Sequence, residues 1–113
     1  MYKRKERDIL RAILQYLKVM QIPAWRQSTG ATTISGRFLR FGKTGMSDII
    51  GILPGGKFLA IEVKNGKNSL TEKQRQFLQL ICSFGGVGIV ARSVEDVVKT
   101  IEKIRKEEKY YEK

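Results

Sequence analysis

The sequence contains no histidine at all. Ser-His-Asp triads, HNH-type nuclease centres and His-ligated zinc are therefore excluded, and any catalysis must draw on carboxylates, lysine, hydroxyls or a hard metal held by oxygen ligands. Cysteine is almost as scarce, and the single Cys82 can form neither an internal disulfide nor a zinc finger. Its place in an apolar helical stretch predicts a buried thiol that only packs. No apolar run approaches the ~20 residues that a membrane span requires. Met1-Tyr2-Lys3-Arg4-Lys5-Glu6 leads straight into a charged helix with no apolar signal core, so a cytosolic protein is expected. Acidic residues are the last shortage: 11 Asp+Glu face 22 Lys+Arg, a net charge of +11. That balance favours polyanionic partners, most simply nucleic acid. Its spread along the whole chain argues against a basic amphipathic membrane helix.

What is present suits one compact domain over residues 1–113, with 42% hydrophobic residues to build a core. From Lys3 to about Met20, Ile9, Leu10, Ile13, Leu14, Leu17 and Met20 recur at helical spacing, and Pro23 ends the helix. Ala24-Trp25-Arg26 reads as a short extended segment, with Trp25 as packing. Thr32–Ile34 and Arg37–Phe41 read as strands around Ser35-Gly36. Gly42-Lys43-Thr44-Gly45 resembles the end of a phosphate-binding loop. Arg37 stands where that pattern needs its first glycine, and the segment lies between strands, so the reading fails. Ser47–Leu53 and Phe58–Lys64 flank Pro54-Gly55-Gly56-Lys57 and form the clearest hairpin in the chain. Thr71 opens a helix to about Phe84, with Phe77, Leu78, Ile81 and Phe84 as its apolar stripe. Val87–Ala91 follows as a short buried strand. Ser93, with Asp96 three residues on, starts a last helix burying Val94, Val97, Val98, Ile101 and Ile104. The order is α-β-β-β-β-α-β-α, an α/β mixed sheet with a central β-hairpin flanked by helices. The strand-helix-strand unit from Phe58 to Ala91 is expected to be a parallel crossover.

The chemistry concentrates on Phe58-Leu59-Ala60-Ile61-Glu62-Val63-Lys64. Alternation places Leu59, Ile61 and Val63 on one face and puts Glu62 and Lys64 together on the other. Ionic groups there are costly unless they are paired or bind a metal. Opposed residues of an antiparallel hairpin have numbers of constant sum. A loop of three or five residues centred on Gly55 therefore sets Asp48 opposite Glu62; a loop of two or four would oppose it to Val63.

Gly45-Met46-Ser47-Asp48 followed by Ile61-Glu62-Val63-Lys64 resembles the motif of the PD-(D/E)XK nuclease superfamily, with serine at 47 in place of the nominal proline. Within it, the chain looks most like a virus-type replication-repair nuclease (VRR-NUC) domain. Glu6-Arg7-Asp8-Ile9, Ala24-Trp25-Arg26 and Leu70-Thr71-Glu72-Lys73-Gln74 share the likeness, which covers nearly the whole chain. The resemblance implies a restriction-endonuclease-like fold and magnesium, for which manganese can substitute, held by Asp48, Glu62 and the Val63 carbonyl. Lys64 would orient the attacking water or stabilise the developing charge. Glu6 would reach the metal region directly or through water, with Asp8 as the competing position. Gln74 would belong to a helix motif beside the centre, although Thr71-x-x-Gln74 also fits a capping box.

Arg26, Ser28, Thr29, Arg37, Arg40 and Lys43 make a basic, hydroxyl-rich stretch leading to Asp48 and suit phosphate contacts, as do Lys67 and Lys73. The resemblance implies a DNA endonuclease, selective for branched structures such as Holliday junctions and working as a homodimer in a cell's own or a phage-infected host's cytoplasm. Two other readings share these residues: a non-catalytic DNA-binding module, and a nuclease for flaps, nicks or duplex ends.

Overall fold

The computed structural model describes residues 6–27, 30–34, 36–41 and 47–111, of which 30–34, 37–41 and 108–111 are described as backbone only. Ser28, Thr29 and the 42–46 loop with Lys43 lie outside the described residues, as do the side chains of Arg37 and Arg40.

Helix α1 spans Glu6–Val19 and buries Ile9, Ile13 and Leu17, successive positions of one helical face. Glu6 and Asp8 in its first turn and Lys18 in its last complement the helix dipole. The chain leaves α1 through Gln21, which adopts a left-handed φ of 60°. The strands are β1 (Ala24–Arg26), β2 (Gly30–Ile34), β3 (Arg37–Phe41), β4 (Ile49–Leu53), β5 (Lys57–Val63) and β6 (Val87–Ala91). Helix α2 spans Glu72–Ser83, and α3 spans Val94–Tyr111.

Five strands precede α2 where four were expected. The Ala24–Arg26 segment is a true strand, because it pairs antiparallel with β4 from Ala24↔Gly51 to Arg26↔Ile49. The main sheet has the order β1-β4-β5-β6, while β2 and β3 pair with each other as a two-stranded sheet. β5 and β6 are parallel, as the strand-helix-strand pattern requires. The central hairpin has a three-residue turn, Pro54–Gly56. Gly55 and Gly56 carry φ of 85° and 78°, the region that glycine enters without penalty.

Helices cover both faces of the sheet. On one, Leu59, Ile61 and Val63 join Ile9, Ile13 and Leu17 of α1 and Val97 and Ile101 of α3. On the other, Ile50 and Ala60 pack against Phe77 and Leu78 of α2, with Leu70, Ile81 and Val90 around them. Charged groups on this second face are thus enclosed beneath a helix.

Three local expectations need correction. Phe84 does not complete the apolar stripe of α2: it is the C-cap residue and is 85% exposed. Cys82 is exposed, not buried. It lies over Gly88 of the edge strand β6, and a glycine offers no side chain to cover a neighbour. At the start of α3, Asp96 Oδ2 accepts from the Arg92 N–H at 2.9 Å, one residue before the Ser93 position that a capping box would use. Among the described residues, no helix is long and apolar enough to cross a membrane.

Candidate functional site

The hairpin register runs from Leu53↔Lys57 to Ile49↔Ile61, and one further step opposes Asp48 to Glu62. The three-residue turn sets this alignment without a bulge. At that end β4 has just begun, and the Asp48 side chain takes over a backbone role. Its Oδ2 accepts from the Val63 N–H at 2.8 Å, while its carbonyl accepts from the Gln27 N–H at 2.8 Å. The carboxylate is therefore anchored to the strand that carries Glu62, and Ser47 before it is buried.

Glu62 is 3% exposed. Gln74 Nε2 donates to its Oε2 at 2.8 Å, whereas Oε1 is buried without a hydrogen-bond partner. Burial first, and the neighbouring Asp48 carboxylate second, push the Glu62 pKa up to about 8. Glu6 contributes a smaller push, while the Lys64 ammonium pulls the other way. A buried carboxylate with an unpartnered oxygen beside a second carboxylate is costly unless a proton or a cation offsets its charge.

Gln74 makes the capping box and also reaches Glu62. Thr71 Oγ1 accepts from the Gln74 N–H at 3.2 Å, and Gln74 Oε1 accepts from the Thr71 N–H at 2.9 Å. With the oxygen committed to the cap, the amide's Nε2 is left to face Glu62. The helix terminus itself aims this donor.

Glu6 lies on the same side of the molecule. Its Oε2 accepts from the Asn65 N–H at 3.3 Å, which ties the start of α1 to the loop after β5. Among the described residues, no three His, Cys, Asp or Glu side chains form a cluster able to hold a metal, so Glu6 is not packed against Asp48 and Glu62 as a third carboxylate. Asp8 is exposed. Lys64 is half-buried directly after β5, its N–H donating to the Ala91 carbonyl at 2.9 Å.

A family model, the VRR-NUC domain, matches residues 2–95. The chain belongs to the VRR-NUC family. Membership makes it a nuclease-type domain with DNA as its substrate class, and the mixed sheet between helices is the restriction-endonuclease-like architecture of such a nuclease. A comparison with curated proteins found no match.

Within this VRR-NUC domain, the structure gathers Asp48, Glu62, Lys64 and Gln74 at one end of the β4–β5 pair and brings Glu6 to their margin. Val63 contributes its N–H to Asp48 while its side chain points into the opposite core. Arg26 is exposed on β1 opposite Ile49, at the Asp48 end of the sheet. Lys67 is exposed in the turn after β5, and Lys73 is exposed in the first turn of α2. Trp25 is 46% exposed, less packed than expected. Sequence reasoning missed Asn65, whose backbone N–H holds Glu6; an amide carries no residue-type signal. Arg75, Arg92 and Lys99, from three different elements, line one groove, a convergence no local pattern signals.

Proposed function

We propose that residues 1–113 form one metal-dependent DNA endonuclease domain with Asp48, Glu62 and Lys64 at its centre. The observation that carries this reading is the buried Glu62 Oε1, which lacks a donor and lies beside a second anchored carboxylate. An all-oxygen donor set of Asp48, Glu62 and the Val63 carbonyl suits magnesium, which keeps several waters and needs few protein ligands; manganese fits the same donors. When bound, such a cation neutralises phosphate charge and makes water more acidic.

The chain's own groups do the rest. Asp48 is held by Val63, so its free oxygen keeps one direction. Gln74 restrains Glu62 from the α2 side. Lys64 stabilises the negative charge that grows on the phosphoryl oxygens as water attacks and the sugar oxygen leaves. Glu6 acts on the centre through water, and Arg26 and Lys67 contact backbone phosphates; the residue types of Ser28, Thr29, Arg37, Arg40 and Lys43 suit further phosphate contacts. Branched DNA and a homodimer suit a symmetric pair of sites cutting opposed strands.

Cleavage of a four-way junction, a flap, a duplex and a single strand, each with magnesium, manganese or chelator, tests the proposal. Junction cutting that requires metal is expected. Lys64→Ala should lower kcat by roughly 10²–10³-fold while DNA binding persists. Undiminished cutting by purified Glu62→Gln protein would remove the centre from these residues, and tight binding without cutting would make the domain a binding module.

A further inference from the structure

We propose that the open edge of the sheet along β6 is a second nucleic-acid contact, a groove in which Arg75, Arg92 and Lys99 bind the phosphodiester backbone flanking the scissile phosphate. The inference rests on the DNA reading above but uses none of the residues of its centre.

The groove encloses about 660 Å³ between the start of α2 and the first turns of α3. Its floor is the end of β6, with Ile89 and Val90, and its rim carries Ser69. Among the described residues, β6 is the terminal strand of the sheet, and no further strand pairs with this side. Arg75, Arg92 and Lys99 line the groove from three different elements, and all three are exposed. One acidic residue, Asp96, also lines it, and its Oδ2 is occupied by the Arg92 N–H. Cations outnumber acids in the lining, although Arg75 Nε also lies 3.9 Å from the exposed Glu72 carboxylate.

Position links the groove to the candidate centre. Val90 is the register partner of Glu62, so the floor lies one strand away, roughly 4.8 Å in the pairing direction. Gln74, which touches Glu62, is followed directly by Arg75. Arg92 Nη1 donates to the Gly66 carbonyl at 2.7 Å, which brings the turn bearing the exposed Lys67 to the rim. A strand with its reacting phosphate at Glu62 therefore has a cationic path for its neighbouring phosphates over β6. Arginine and lysine in such a path supply position without base reading. Charged side chains also deter pairing at an open sheet edge, a role that would leave DNA affinity untouched.

The test is the salt dependence of binding to a labelled duplex without divalent metal. The protein carries Arg75→Gln with Lys99→Gln; Arg92 is retained because it holds the Gly66 carbonyl. The slope of log K against log salt should fall by roughly 1.8, about 0.9 per lost contact. Lys18→Gln with Lys103→Gln removes the same charge from other exposed positions and should leave the slope unchanged. An unaltered slope in the groove variant, or an equal fall in both variants, overturns the proposal. So does a shift of the Val90 and Arg92 amide resonances by inorganic phosphate with no loss of DNA affinity in the variant, which would mark a free-anion site. Binding is read without cleavage, so a groove that binds in a protein that never cuts refutes the endonuclease reading alone.

Discussion

Glu62 combines deep burial, an orphaned oxygen and a carboxylate neighbour, and this makes it a source of instability as well as a candidate ligand. Its pKa in the folded chain, about 8, lies above the ordinary glutamate value of 4.5. The folded state therefore binds this proton more tightly than the unfolded state, and the linked stability is complete at low pH. That stability drains away as pH climbs from the unfolded value to about 8 and is lost above it. Glu62→Gln carries no such titration. In chelator, denaturant melts should show the variant gaining on the parent with rising pH, by a few kcal/mol at about 1.4 kcal/mol per pKa unit. A gap independent of pH would contradict the assignment. Magnesium should stabilise the parent at pH 7–8, by about 1.4 kcal/mol at ten times its Kd, and leave Glu62→Gln unmoved.

At the scale of elements, the start of α2 joins folding to the site. The capping box stabilises the helix and orients Gln74 toward Glu62 in one arrangement. Thr71→Ala removes the hydroxyl that receives the Gln74 N–H and should cost about 1 kcal/mol of stability, read by thermal melting. It should also lower kcat more than KM, because the released amide can rotate away from Glu62. Thr71→Ser keeps the hydroxyl and should restore both. β1 and β4 show a different constraint. A Cβ on Gly51 would stand 2.8 Å from the Pro23 carbonyl, the same oxygen that accepts from the Ile52 N–H. Gly51→Ala should therefore loosen β1 and lower the melting temperature, by about 1–3 kcal/mol of stability.

At the scale of the whole molecule, a net charge of +11 repels like copies, so self-association must occur through a patch where apolar contact outweighs that repulsion. Phe58, Leu80 and Phe84 are exposed together around a hollow of about 560 Å³. An apolar cluster of this kind on a basic surface fits the proposed homodimer contact. Phe84→Asp should convert a dimer to a monomer in sedimentation velocity and leave the melting temperature nearly unchanged, since Phe84 is 85% exposed. An unchanged sedimentation coefficient would place the contact elsewhere.

The hairpin, the faces of β5 and the helical spans were legible because each depends on local periodicity or on the glycines of one turn. Counting residues about Gly55 left two registers open, and the three-residue turn selects the one that opposes Asp48 to Glu62; Leu59, Ile61 and Val63 turn inward as alternation demands. The fate of Ala24–Arg26 was not legible, since a three-residue strand exists only through the partner that completes its hydrogen bonds. Cys82 and Phe84 were misplaced for a related reason: helical spacing assigns a face but cannot say where the opposing sheet stops. Gln74 offered two readings in sequence, and packing made them one by laying α2 over Glu62. The amino-acid order alone determined which groups were present and how neighbours in the chain would alternate. Only the tertiary structure decided that Arg75, Arg92 and Lys99 meet beside β6, because convergence from separate elements depends on how the helices dock, which no local rule encodes.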